Sequence, residues 1–289
     1  MLSAFETARA TVERHALGFI RGIGERTIAG GGLARAEQYI QDTFADLGLD
    51  IQRQTYAYAT TEVANLFCDT GPQQGPPVIV GAHYDTVPGT EGADDNGSAV
   101  CVLLALAERL VQAPPTVPVR LVAFTLEEPP AFHTRHQGSR VFARRMKAAG
   151  ASTRGAIILE MVGYTTAEQR YPGPLRWAGY PQTGDFIGIV GDGRSRRLAQ
   201  TLTRAFRTNP ALPTESITIP LRGWPLFASR LSDHSSFWDQ GYPAVMVTDT
   251  AFFRNPNYHL PADRIETLDF DFMAYLVDSL ELGIAALAE

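Results

Sequence analysis

The stretch Val78-Ile79-Val80-Gly81-Ala82-His83-Tyr84-Asp85 joins a short apolar run to a polar end. Entered from the Gly/Pro-rich turn over residues 71–77, such a run predicts a strand buried on both faces. Working outward, the signature returns as buried strands over 117–124, 156–159, 186–190 and 244–247, an extended pair over 50–58 and 64–68, and a short extended piece over 216–220. Helical spacing fills the intervals. Residues 32–47 align Leu33, Ala36, Ile40 and Phe44 before Gly48 stops them, and 98–110, 139–148, 194–206 and 269–287 read as further helices. Strands separated by helices imply an α/β fold: a three-layer α/β/α domain around a mostly parallel central sheet. We read residues 1–289 as one such domain, because no repeat, low-complexity tract or compositional break marks a linker.

Composition limits what such a domain does. With 45% hydrophobic and 19% charged residues, the chain has core material enough to exclude wholesale disorder. Its 25 Lys+Arg against 31 Asp+Glu leave a net charge of −6, which argues against nucleic acid as a partner. Cys68 and Cys101 fall in apolar segments and read as buried thiols, with a single bridge left open. No apolar run reaches the roughly 18 to 20 residues of a membrane helix, so no membrane partner is expected. Residues 1–19 mix Glu6, Arg9, Glu13 and Arg14 among apolar residues and lack the apolar stretch of a signal peptide. We therefore expect a cytoplasmic protein, although a chain already relieved of a leader would read the same.

Open parallel sheets bind ligands beyond the carboxyl ends of their strands. Four polar stretches sit at or just past such ends, His83-Tyr84-Asp85, Glu127-Glu128, Glu160 and Asn257-Tyr258-His259, and a fifth, Gly92-Ala93-Asp94-Asp95-Asn96-Gly97, opens the helix that follows one. Taken singly each is ordinary. A lone histidine at a strand end is more often a hydrogen-bonded partner than a ligand, and Asp94-Asp95-Asn96 fits a helix N-cap. Together, two histidines and several carboxylates without cysteine suit zinc, with cobalt or manganese as substitutes, better than calcium or magnesium. Asp95, Glu128 and Glu160 supply three negative charges, and one hydroxide completes neutrality against two divalent ions. Asp85, two residues past His83, is placed to accept the proton on the imidazole nitrogen that faces away from metal.

At this point the chain resembles the co-catalytic dizinc aminopeptidases, the zinc-dependent exopeptidase type that includes aminopeptidase Y, bacterial leucyl aminopeptidases and, more distantly, glutaminyl cyclases. The matching stretches are Gly81 to Asp85, Gly92 to Ser98, Glu127-Glu128, Leu159 to Tyr164, Ser232-Asp233-His234 and Asn255 to His259, in the family's order. The resemblance implies that Asp95 bridges two Zn2+ ions, with His83 and Glu160 completing one and Glu128 and His259 the other. It implies Glu127 as general base, Asp85 as the partner of His83, Tyr258 as a hydrogen-bond donor to the tetrahedral intermediate, and a cis peptide between Asp95 and Asn96. Many members carry Asp where this chain has Glu160, so the added methylene puts amine selectivity in question.

The activity so implied is hydrolysis of an N-terminal peptide or aminoacyl amide bond by a metal-bridging water. The partner is a peptide or aminoacyl substrate; oligomeric state is not readable. Aromatic residues of the long loop, Tyr164, Tyr171, Trp177 and Tyr180, together with Trp224, Phe252 and Phe253, either wall a pocket or are ordinary loop and core aromatics. His133 and His136 read as loop residues. Asp233 and His234 either brace the site or cap the turn into the next helix. Alternative readings are a glutaminyl cyclase-like aminoacyl transferase, a carboxypeptidase-like or N-acyl amino acid hydrolase using a cation such as Arg222, and an inactive peptidase-shaped binding module.

Overall fold

β3 (Val78–His83) is buried at every position, as a strand between two neighbours and two helical layers must be. The computed structural model describes residues 4–288. Among them β1 (Ile51–Tyr58), β2 (Thr61–Thr70), β3, β4 (Val119–Phe124), β5 (Gly155–Glu160), β6 (Ile187–Asp192), β7 (Thr214–Ile219) and β8 (Ala244–Thr248) form one sheet. Their order is β1-β2-β4-β3-β5-β8-β6-β7. The middle four, β4-β3-β5-β8, run parallel. The flanks are mixed: β1 and β2 are antiparallel to each other and β2 to β4, while β6 is antiparallel to β8.

The helices are α1 (Ala4–His15), α2 (Gly32–Asp46), α3 (Ala99–Gln112), α4 (Gly138–Ala148), α5 (Arg196–Phe206), α6 (His234–Gln240) and α7 (Phe270–Ala286). Alternation along the strands sorts them into two layers. Val78, Val80 and Ala82 join the core made with α1, α2, α3, α5 and α7. Ile79 joins the other, with Phe142 of α4 and Phe237 and Trp238 of α6. The expected three-layer α/β/α architecture is therefore present as a single α/β domain. α1 is not legible as a helix from its apolar run alone. Its charged residues break the apolar run, yet Ala8 and Val12 are buried one turn apart, which makes the segment amphipathic.

Cys68 and Cys101 are both buried and unpaired. No described helix is long and apolar enough to cross a membrane. Because β4, β3, β5 and β8 are parallel neighbours, their carboxyl ends share one rim, and the loops leaving that rim carry the polar stretches described above.

The layer under α4 is aromatic: the Phe142 ring stands edge-on to Phe67 and Phe124, each at 5.6 Å between centroids. Phe142→Ala should cost about 3–5 kcal/mol, read as a lowered urea midpoint at unchanged m-value. A loss below about 1 kcal/mol would mean that this layer collapses around the gap instead of depending on the ring.

Candidate active site

The strand ends place His83 as the last residue of β3 and Glu160 as the last of β5. Glu127 and Glu128 follow β4, Asp95 lies in the turn 93–98 that opens α3, and Tyr258-His259 lie in the loop after β8. The turn is tightly built. Gly92 sits at φ +56, where a Cβ would lie 2.4 Å from the Asp95 carbonyl oxygen, so only glycine lets the chain fold back there. The peptide between Asp95 and Asn96 is cis. Non-glycine residues with positive φ collect around the same rim: Leu126 before Glu127, Met161 after Glu160, and His259 itself. Such backbone persists only where surroundings over-determine it, and it clusters at functional sites.

These segments bring the predicted residues to one point. Asp95 stands at the centre: its Oδ1 lies 3.4 Å from His83 Nε2 and its Oδ2 3.1 Å from His259 Nε2. Glu160 Oε2 approaches His83 Nε2 at 3.5 Å, and Glu128 Oε2 approaches His259 Nε2 at 3.3 Å. Two groupings with metal-ligand spacing share Asp95, one with His83 and Glu160 and one with Glu128 and His259. A third, His83 with Glu127 and Glu128, meets the same spacing. Glu127 Oε2 is 3.8 Å from His83 Nε2, the longest approach of the four carboxylates to an imidazole.

The chemistry of these donors fits a metal centre. The buried atoms His83 Nε2, His259 Nε2 and Glu128 Oε1 have no hydrogen-bond partner, and buried polar groups are rarely left so. Asp95, Glu127, Glu128 and Glu160 are all buried, an arrangement that needs compensating positive charge. Burial raises the Glu127 carboxyl well above its ordinary pKa, and Glu160, Asp233 and Glu128 add to the effect while His83 opposes it. Burial, then Asp95, pushes Glu128 up to about 8. Desolvation lowers and the carboxylates raise both histidines; His259 ends at about 10, held there by Asp95 and Glu128. Burial of Asp95 is outweighed by His259 and His83, so it alone is depressed.

Several residues hold this group in place. Asp85 approaches His83 Nδ1 at 3.4 Å without the alignment of a hydrogen bond, and its two oxygens accept the amides of Glu127 (3.0 Å) and Glu128 (2.9 Å). It therefore positions the paired glutamates as well as facing the histidine. Asp263, which the sequence reading missed, does the same for the amides of Asp94 (2.9 Å) and Asp95 (3.1 Å). Asp94 does not cap α3 from its start; it accepts the Gly163 amide and the Asn255 side chain, tying the turn to the loops after β5 and β8. Asn96 bridges to Leu159 and Met161 on either side of Glu160. Ser232 donates to Glu160 Oε2 at 2.6 Å, so the longer side chain is tethered. Asp233 accepts from Gln137, and His234 Nε2 lies 2.7 Å from the Ser229 carbonyl oxygen; neither faces the cluster as a ligand. Spacing along the chain carries no signal for Asp263 or Ser232, since each acts through one hydrogen bond from a distant loop.

Beside the cluster lies a cavity of about 120 Å3, open to solvent and mostly apolar in its lining. Glu160 forms part of its wall, with Tyr171, Tyr180, Phe252 and Phe253 from the expected aromatics. Tyr164, Trp177 and Trp224 are not in the wall; Trp177 and Trp224 are exposed. Tyr258 stacks on His259, its ring centroid 3.8 Å away, and burial followed by Asp95 and Glu128 raises its hydroxyl pKa. His133 stacks on Phe132 outside the cluster.

Residues 65–279 match the family described as peptidase family M28. The chain belongs to peptidase family M28. Proteins similar to it include the uncharacterized protein YfbL of Escherichia coli (strain K12), 36% identical over 260 residues that cover 86% of this chain and 78% of YfbL. A probable leucine aminopeptidase of Arthroderma benhamiae (strain ATCC MYA-4681 / CBS 112371) is 28% identical over 213 residues, covering 68% of this chain and 50% of that protein. The chain thus spans about half the length of that relative. Among solved structures, the glutaminyl cyclase of Bacteroides thetaiotaomicron bound to N-acetylhistamine superposes with a TM-score of 0.71 at 16% identity, covering 97% of both chains. At that identity the likeness is one of fold.

Without metal, Glu128 and His259 in this M28 chain both have folded-state pKa values above their unfolded ones. Stability from such groups is present below the unfolded pKa and lost as pH rises through the folded value. The Tm of chelator-treated protein should therefore fall as pH rises, from 4.5 to about 8 through Glu128 and from 6.5 to about 10 through His259, and saturation with a divalent transition metal, which replaces the protons, should flatten that slope. A slope unchanged by metal would show that these groups do not share an ion.

Proposed function

We propose that the chain is a metallo-aminopeptidase that hydrolyses the amide bond after the first residue of a peptide or aminoacyl substrate, with zinc as its metal. The observation that carries this reading is the central carboxylate: Asp95 turns one oxygen to each of two imidazoles, and each imidazole has its own second carboxylate. That supports two ions, His83, Asp95 and Glu160 holding one and Asp95, Glu128 and His259 the other, with cobalt or manganese as substitutes. When bound, zinc supplies a Lewis acid that polarises the scissile carbonyl and acidifies water.

The chain's own residues supply the rest. Glu127 takes the proton from the attacking water and returns it to the leaving amine, a role suited to a buried carboxyl whose pKa burial raises well above its ordinary value. Tyr258, beside His259, donates a hydrogen bond to the oxygen of the tetrahedral intermediate. Asp85 keeps Glu127 and Glu128 in place through their amides. Glu160 sits where the cluster meets the apolar cavity, so a substrate whose first side chain fills the cavity brings its free ammonium to that carboxylate. The leucine aminopeptidase relative supports the same reading. Arg222 is exposed and lies outside the cavity wall, so it is not placed to receive a substrate carboxylate.

The deciding experiment compares free and N-blocked aminoacyl anilides, with peptides bearing N-terminal Gln, each with and without chelator. The account expects chelator-sensitive cleavage of the free-amine substrates alone. Ammonia release from N-terminal Gln without chain cleavage would make the protein a cyclase, and absence of any metal-dependent turnover would leave a binding module.

Two variants test the assigned parts. Glu127→Gln should keep its metal content while kcat falls by about 10²- to 10⁴-fold; near-wild-type turnover in the loaded variant removes Glu127 from the proton-transfer role. Ser216→Trp, from the cavity wall, should lower kcat/KM for Leu and Phe substrates by about tenfold or more and spare Ala substrates. An equal effect on all three would place the first side chain elsewhere.

A further inference from the structure

Arg26 lies outside the stretch that matches the family, 57 positions before His83, yet its guanidinium is fully buried against the turns that carry the ligands.

 Its Nε donates to the carbonyl of Tyr84 at 2.8 Å, Nη1 to Glu91 at 2.6 Å and Gly24 at 3.3 Å, and Nη2 to Gly92 at 2.8 Å. Its own amide donates to Thr86 Oγ1 at 3.0 Å, and its carbonyl accepts from the Thr86 amide at 3.3 Å. Among the described residues no carboxylate pairs with the guanidinium; its charge is met by backbone carbonyls and by the face of Phe19, 5.0 Å to the ring centroid, which is costly unless the surrounding field is negative. Asp263, Asp85 and Asp95 supply that field. Two of the three, Asp85 and Asp263, are the carboxylates that hold the amides of the paired glutamates and of the Asp94-Asp95 turn.

One rigid, planar group therefore pins both ends of the segment 84–92, which leaves His83 at one end and leads into the Asp95 turn at the other. We propose that Arg26 is a positioning residue for the metal centre: it sets the distance between His83 and Asp95 by clamping the chain that joins them. Lysine retains the charge but offers a point donor in place of the planar fork, and cannot reach the carbonyls of Tyr84, Glu91 and Gly92 in the same way. Glutamine loses the charge as well.

This inference rests on the reading that the cluster holds metal. The test measures zinc affinity by competition with a chromophoric chelator, together with kcat and KM, in wild type, Arg26→Lys and Arg26→Gln. Leu276→Ala, a truncation in the buried face of α7, serves as a generally destabilised control. We expect zinc affinity to fall by about 10- to 100-fold in the Arg26 variants, more for Gln than for Lys, with kcat falling and KM nearly unchanged. Leu276→Ala should lose Tm while keeping its zinc affinity. Arg26 variants with wild-type zinc affinity, or a control that loses as much, would overturn the proposal. So would failure of Arg26→Lys to fold in saturating zinc, because Arg26 would then serve the core and not the site. Wild type that binds no zinc would instead overturn the proposed function.

Discussion

The interaction on which the rest depends is the meeting of one buried carboxylate with two imidazoles. Asp95 faces His83 with one oxygen and His259 with the other, inside a group of further buried carboxylates. Such a group repels itself and is expensive to take out of water unless positive charge is held among its members. Burial and mutual repulsion raise the carboxyls of Glu127, Glu128 and Glu160, and the carboxylates raise both histidines, so protons are one source of that charge. A divalent ion does the same work at a pH where protons leave.

The fold serves this constraint through strand order. β4, β3, β5 and β8 are parallel neighbours, so residues far apart in the chain leave the sheet at one rim. Carboxylates one layer out then hold backbone amides: Asp85 those of Glu127 and Glu128, Asp263 those of Asp94 and Asp95. Amides held in this way fix where the side chains of the same residues point, and the cost of that rigidity is visible as left-handed backbone at Leu126, Met161 and His259.

Much of this is legible in the sequence. Short apolar strands and amphipathic helices announce themselves by periodicity, and the polar residues that convert a strand end into a site lie next to those strands in sequence; His83, Glu128 and Glu160 were found that way. What escaped acts at long range. Arg26 and Asp263 make their contacts with backbone groups, and a backbone contact leaves no mark on the identity of its partner. Ser232 reaches Glu160 through a single hydroxyl, 72 residues away. α1 was overlooked because charges at Glu6, Arg9 and Glu13 disguise a face whose apolar positions pack on the core. The antiparallel setting of β6 against β8 was equally hidden, since direction depends on how a connection crosses the sheet and not on the strand's own composition.

The central claim is that an ion sits between the oxygens of Asp95 and the imidazoles that face them. The most direct measurement is an anomalous difference map collected at the zinc edge from crystals grown with zinc. The account predicts density in contact with Asp95 on both sides, one peak beside His83 and Glu160 and one beside Glu128 and His259. A map with no peak at Asp95, in protein shown to be folded and supplied with zinc, would contradict it.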